Sequence, residues 1–104
     1  MNLATLQSHT VEIDSSLEEL IPGFMQNRLN ELPVIEKLYS DRDFDGFQKF
    51  GHKLKGSSLN YGFSHLGQLA SALEQAGKDQ NLAQIRTLID QIEDHVRNIK
   101  IVFI

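Results

Sequence analysis

The sequence contains no cysteine, no tryptophan and only two prolines, and its acidic residues outnumber its basic ones. Without cysteine, disulfide bonds and thiolate metal or redox sites are excluded. The formal net charge of −4 argues against a nucleic-acid partner, because a phosphate backbone attracts a basic surface. No apolar run approaches the length of a membrane span, and the first thirteen residues do not resemble a signal peptide. We therefore expect a cytoplasmic protein with no membrane partner.

The length of 104 residues, 40% of them hydrophobic, suits one domain with a single modest core. We predict a single helical domain over residues 1–104. Residues 1–13 are predicted to be a loosely ordered tail, because the chain is polar and aperiodic up to residue 10. An initiating Met1 and the lack of a linker favour an independent protein, and a domain excised from a larger kinase stays open as an alternative.

Apolar residues recur at steps of three and four along most of the chain, which indicates amphipathic helices. The first is predicted to start near Pro22 and to continue to about Tyr39. Asp43 is a suitable N-cap for a second helix over residues 44–60. Gly62 is expected to close that helix in the left-handed conformation.

A third helix is predicted from Ser64, as its N-cap, to Gly77. The fourth has the most regular apolar pattern, at Leu82, Ile85, Ile89, Ile92, Val96, Ile99 and Phe103. Short connections between helices imply antiparallel neighbours. The predicted fold is therefore all-α, an antiparallel up-and-down four-helix bundle with a short N-terminal extension or helix. The last four residues, IVFI, either finish the fourth helix or turn back onto the core.

The second helix carries an unusual concentration of glycine and lysine around one histidine, His52, in the stretch FQKFGHKLKGSSLNYG over residues 47–62. At 100° per residue, His52 lies about 140° from the centre of the apolar stripe and is predicted to be exposed. Gly56 lies one turn further on, where a glycine costs about 1 kcal/mol relative to alanine. We interpret Gly56 as clearance for a partner's backbone or a phosphoryl group, with Lys55 supplying a nearby cation.

An exposed histidine is by itself most simply a solvated side chain. The nearby Gly56, Lys55 and an exposed Leu59 favour a chemical role for His52, because an unprotonated imidazole nitrogen is a nucleophile. The same solvated interpretation is kept for His9 and His95, and His65 is expected at the surface or in a turn. Since no pair of histidines has an HxxxH-type spacing, no metal site is expected.

The run HKLKGSSLNYG, residues 52–62, resembles the signature of histidine-containing phosphotransfer (HPt) domains. The shared pattern is a histidine, a lysine three residues on, a glycine four on, two small residues and a glycine ten on. The resemblance extends over the chain from about Leu17 onward and independently implies a four-helix bundle. Gly51 stands where the family usually has alanine, a departure that we interpret as mild because both residues are small.

The resemblance implies specific roles for residues of this chain. His52 would accept the phosphoryl group and Lys55 would balance the phosphate charge. Glu74 stands where many HPt domains carry a glutamine or glutamate, and it would orient the imidazole. The residues alone do not select Glu74 over Glu93 or Asp94 for this role.

The function implied is that of a histidine phosphotransfer protein in a two-component phosphorelay. It would accept a phosphoryl group on His52 from a receiver aspartate or a kinase and pass it to a response-regulator receiver. The sequence has no GxxxxGK loop and no kinase signature, so a phosphoryl carrier without its own nucleotide site is expected, not an enzyme. A non-phosphorylated helical-bundle adaptor that binds a partner through the His52 face is the alternative.

The expected partners are a response-regulator receiver domain, a hybrid sensor histidine kinase, or both. No cofactor is expected on this chain, since the Mg²⁺ of the reaction would lie on the receiver. We expect a monomer that contacts its partner through five residues around His52, namely Gln48, Lys49, Lys53, Gly56 and Leu59.

Overall fold

The structure, a computed structural model, describes residues 9–104 and contains four long helices. In chain order its elements are β1 (Thr10–Ile13), a 3-10 helix (Ser15–Leu20), α1 (Ile21–Ser40), α2 (Phe44–Asn60), α3 (Ser64–Lys78), α4 (Leu82–Asn98) and β2 (Lys100–Phe103). Turns of three residues separate consecutive long helices. The predicted four-helix bundle is confirmed. Within the described residues, no helix combines the length and the apolar character needed to cross a membrane.

The helix that carries His52 begins and ends where its sequence predicts. At its N-terminus, the carboxylate of Asp43 accepts a hydrogen bond from the amide of Gly46 at 2.8 Å. At its C-terminus, Gly62 has a φ of 91° and the amide of Phe63 donates to the carbonyl of Ser58 at 2.8 Å. This is the Schellman arrangement, which satisfies two carbonyls of the last turn.

The predicted N-cap of α3 is wrong by one residue. Ser64 is the first helical residue, and Phe63 occupies the cap position without a side-chain hydrogen bond. The fully buried ring of Phe63 stacks on Phe24 at 4.3 Å between centroids. Packing of this aromatic ring, more than capping by a hydroxyl, therefore fixes the start of α3.

Two short strands join the ends of the described region. β1 pairs with β2 in parallel, with Thr10 opposite Lys100 and Ile13 opposite Phe103. Val11 and Ile13 point into the core. The loose tail predicted over residues 1–13 is therefore wrong for β1, because alternate apolar side chains anchor it, and residues 1–8 of that prediction lie outside the described residues.

The C-terminal segment turns back as a strand, which decides between the two alternatives for IVFI. α4 ends at Asn98, and Ile99 has extended backbone angles of φ −56° and ψ 130°. The helical pattern predicted through Ile99 and Phe103 is thus wrong for those two positions. The ladder with β1 supplies the hydrogen bonds that a longer helix would otherwise have made.

The core lies between all four helices and under β1. α2 packs most extensively against α3, whereas α1 approaches α2 over a much smaller area. Large apolar side chains that are fully buried come from β1, from all four long helices and from the turn before α3: Ile13, Ile35, Phe47, Phe63, Leu66, Leu73, Ile85, Ile89 and Ile92. The face of α2 opposite this core is left exposed, and His52 lies on it.

The prediction of a solvated His95 is wrong. His95 is only 1% exposed, and its Nδ1 lies 2.9 Å from Nδ1 of His9, while the ring of His65 meets it edge-on at 4.7 Å. Its Nε2 has no hydrogen-bond partner among the described residues. Burial, and then the nearby His65 and His9, lower the pKa of His95 to about 4, against a smaller raising effect of Asp94. We call His9, His65 and His95 the histidine cluster.

Candidate functional site

His52 lies in the middle of α2 on the face turned away from the core. Its side chain is 74% exposed, as the helical pattern predicts. Gly51, immediately before it, is buried against α3. The imidazole therefore stands at the edge of the contact between α2 and α3, where a group from α3 can face it.

That group is the carboxylate of Glu74 on α3. Its Oε2 lies 3.3 Å from Nδ1 of His52, and the Glu74 side chain is only 16% exposed. Two lysines also approach this carboxylate, Lys55 at 4.0 Å from Oε1 and Lys78 at 3.8 Å from Oε2. One half-buried anion thus faces an exposed imidazole and two ammonium groups.

Glu93 and Asp94, the two alternatives to Glu74 for orienting the imidazole, do not face His52 but other groups. Glu93 lines a cavity with Glu36 and Arg97, and Asp94 approaches Nε2 of His9 at 3.4 Å. Burial and the neighbouring Glu36 raise the pKa of the Glu93 carboxyl. Glu74 is therefore the carboxylate that the fold brings to His52.

Gly56 and Leu59 lie one and two turns beyond His52. The space beside the Gly56 Cα is open, since a methyl group built there would have no atom within 4 Å. The protein's own packing therefore does not require a glycine at this position. Leu59 is 51% exposed and rests on Gly67 of α3, where a side chain would overlap it at 2.6 Å.

The other three residues predicted to contact the partner, Lys49, Lys53 and Gln48, also contact residues of this chain. Lys49 pairs with Asp45 at 2.9 Å, and this contact raises the pKa of its exposed ammonium group. Lys53 lines a cavity of about 110 Å³ between α1 and α2 together with Arg28. Gln48 packs its backbone and side-chain stem against Gly77 of α3.

Lys78, which is not among the predicted site residues, lies beside Glu74. The signal was present, because Lys78 follows Glu74 by four residues on one helix, the spacing at which a glutamate and a lysine meet. The spacing does not show that Glu74, and with it Lys78, faces His52, because that is a contact between two helices.

This arrangement suits a nucleophilic imidazole. A carboxylate at Nδ1 favours the tautomer with the proton on Nδ1, so that Nε2 carries the free electron pair. Lys55 and Lys78 add positive charge near an incoming anion. Between residues 9 and 104, no three histidine or acidic side chains are grouped so that they could hold a metal ion.

Comparison with known proteins gives one match. The family model described as Hpt domain matches residues 16–100. Neither a curated protein nor a solved structure matches the chain. The matched range contains all four long helices together with His52, Lys55, Glu74 and Lys78.

Proposed function

The chain belongs to the Hpt domain family, and on that premise we propose that it carries phosphoryl groups on His52 between the proteins of a two-component phosphorelay. Hpt domains are phosphoryl carriers that act in such relays with receiver domains and kinases. The partners proposed here are a response-regulator receiver and a hybrid sensor kinase. The direction of flow between them is left to experiment.

The observation that carries the proposal is the contact between His52 Nδ1 and Glu74 Oε2, 3.3 Å long, on a histidine whose side chain is 74% exposed. A histidine that is only a solvated surface residue does not require a half-buried carboxylate to orient its ring. A nucleophilic histidine does, because the carboxylate holds the proton on one nitrogen and stabilises the positive charge that develops on the ring.

The transfer balances without any further reactant. The electron pair of Nε2 attacks the phosphorus of an aspartyl phosphate on the receiver. The bond between phosphorus and the aspartyl oxygen breaks, and the aspartate leaves as a carboxylate. The proton stays on Nδ1 against Glu74, so the product is a phosphohistidine with an imidazolium ring. Transfer to the next receiver reverses these changes.

Lys55 supports the charged group during this step. Its ammonium group is one helical turn from His52 and 4.0 Å from Glu74, so a rotation of the side chain brings it to a phosphoryl oxygen. Mg²⁺ on the receiver would neutralise the remaining charge, so this chain needs no metal of its own. Lys49 and Lys53 are proposed to speed the encounter with an acidic receiver pocket.

The face around His52 also suits docking of a receiver. Gly56 leaves open space beside the helix, and Leu59 offers an exposed apolar side chain on the same side. Gln48 is proposed to contact the partner with its amide end. A transient complex needs only a small interface, at the lower end of the usual range.

The direct test is transfer of labelled phosphate from a phosphorylated receiver. The wild-type chain is expected to gain acid-labile, base-stable phosphate, and His52→Gln to gain none. His65→Gln is the matched control, because it removes another exposed histidine from a helix and should retain labelling. Equal labelling of His52→Gln, or loss in His65→Gln alone, would contradict the assignment to His52.

Docking can be separated from chemistry with a pair of surface variants. Leu59→Asp is expected to weaken receiver binding at least tenfold by titration, since a charge would replace an apolar contact. Val34→Asp is the control, because Val34 is 50% exposed but lies on α1. If the receiver binds the wild-type chain but no phosphate is transferred, the protein is an adaptor and the carrier proposal is wrong.

A further inference from the structure

Gly51 is a point of close approach between α2 and α3. A methyl group built on its Cα would lie 2.7 Å from the amide nitrogen of Glu74, 2.8 Å from the carbonyl oxygen of Ala70 and 2.9 Å from the Cα of Glu74. All three atoms belong to the backbone of α3, so no side chain can move aside. An alanine at position 51 therefore requires the two helices to separate.

A second glycine repeats the contact from the other helix. A methyl group on Gly77 of α3 would lie 3.1 Å from the carbonyl oxygen of Phe44 and 3.2 Å from the amide nitrogen of Gln48. Each helix thus presents one glycine to the backbone of the other.

The reach of the Glu74 side chain depends on this spacing. Its own backbone touches Gly51, and its carboxylate meets the residue that follows Gly51 in sequence, His52. The ion-pair distance of 3.3 Å from Nδ1 to Oε2 is already slightly longer than an ordinary hydrogen bond. An ordinary contact of a methyl group begins near 3.4 Å, so an alanine would move the helices apart by several tenths of an ångström. The carboxylate would then lie beyond hydrogen-bond reach of the imidazole.

We propose that Gly51 is a positioning residue, which holds the backbone of Glu74 close enough for its carboxylate to fix the proton on Nδ1 of His52. This deepens the proposed function and rests on it for its consequence in phosphoryl transfer. It also corrects the interpretation of Gly51 as a mild departure from the alanine of the family. In this chain the backbone of α3 occupies the space that an alanine methyl group at position 51 would need.

The test combines a spectroscopic signature with a transfer rate. Nitrogen chemical shifts of the His52 ring report the tautomer in the unphosphorylated protein, without any partner. Gly51→Ala is expected to lower the share of the Nδ1-protonated tautomer and to slow transfer roughly threefold to tenfold, the range that one hydrogen bond supplies. Gly23→Ala is the matched control and should change neither quantity, because a methyl group at this α1 position meets no atom within 4 Å.

A double variant shows whether Gly51 acts through the carboxylate. In a Glu74→Ala background, Gly51→Ala is expected to have no further effect on the tautomer or the rate. A further loss in that background, or wild-type ring shifts in folded Gly51→Ala, would overturn the proposal. If Gly51→Ala does not fold, Gly77→Ala decides with its smaller overlap, since unchanged ring shifts there would also overturn it.

Failure of this inference can be told from failure of the proposed function. If the wild-type chain accepts no phosphate but Gly51→Ala still shifts the tautomer, the positioning role stands and the carrier role falls. If transfer occurs and the tautomer does not respond, the carrier role stands and Gly51 is a packing residue only.

Discussion

His52 and His95 occupy two contrasting environments within one small bundle. His52 is largely exposed and faces one carboxylate, whereas His95 is 1% exposed and faces two other histidines. Both lie on long helices with apolar stripes. The difference comes from what the neighbouring elements present, which is Glu74 from α3 in the first case and His9 and His65 in the second.

The comparison shows why a histidine becomes chemically useful in one place and structural in another. A carboxylate partner and open access favour a proton on one nitrogen and an electron pair on the other. Burial among other imidazoles favours the neutral form of the His95 ring. A positive charge on this ring would be poorly solvated in the core and would be repelled by any charge on the neighbouring rings. The first environment supports reaction, and the second makes folding sensitive to acid.

The largest expected contrast comes from placing a fixed positive charge at each position. His95→Lys should lower the free energy of unfolding by about 3 kcal/mol or more, because it buries an unpaired ammonium group. His52→Lys should change it by less than about 0.5 kcal/mol, since the side chain is exposed beside a carboxylate. Urea denaturation at neutral pH measures both, and equal losses would remove the distinction between the two environments.

Acid should destabilise the folded protein through its buried His95. The pKa of His95 is lowered from 6.5 to about 4 in the folded protein, so the unfolded chain binds the additional proton first as pH falls. The free energy of unfolding therefore decreases as the pH falls from 6.5 towards 4, by about 2 kcal/mol from pH 7 to pH 5. Denaturation curves at both pH values measure the loss. His95→Gln should flatten this dependence, whereas an unchanged slope in His95→Gln would assign the effect to other groups.

Removing the carboxylate should make the His52 environment more like that of an ordinary exposed histidine. Glu74→Ala is expected to slow phosphoryl transfer about tenfold, because the proton is then no longer held on Nδ1. Glu74→Gln, which keeps an oxygen acceptor, should lose only about threefold. Rapid-quench labelling with a phosphorylated receiver measures the rates. A wild-type rate in Glu74→Ala would exclude an orienting role.

The smallest expected effects concern the two lysines beside Glu74. Lys55→Ala should shorten the lifetime of the phosphohistidine or slow transfer about threefold, while leaving the fold intact. Lys78→Ala should change either quantity less than about twofold, because Lys78 lies on the helix of Glu74 and pairs with it at the surface. Hydrolysis of the labelled protein gives the lifetimes. A larger effect at Lys78 would reverse the roles of the two cations.

The sequence predicted those features that depend on short spacings. Asp43 and Gly62 mark the ends of α2, because capping and the left-handed turn are local properties. The exposure of His52 follows from its angle on the same helix. Glu74 was selected only through the family resemblance, since the contact of α2 with α3 is not encoded in any single helix.

The burial of His95 differs from the prediction because of the way the apolar pattern of α4 is defined. A stripe through Ile92 and Val96 alone places position 95 on the polar side of the helix. The structure also buries Leu88, and His95 follows Leu88 by seven residues and Ile92 by three, both core spacings. The pattern therefore allowed a buried His95, and its place is determined by the rings of His9, just before β1, and His65 on α3.

The parallel pairing of β1 with β2 also affects the order in which the chain acquires its structure. Its paired residues are 90 positions apart, from Thr10 with Lys100 to Ile13 with Phe103. Closing a flexible loop of that length costs roughly 4 kcal/mol, more than two four-residue strands recover alone. The helices must therefore assemble first and bring the two segments together. During synthesis, His52 and Glu74 can meet before the sheet exists, so we expect the sheet to be the last part of the native structure to form.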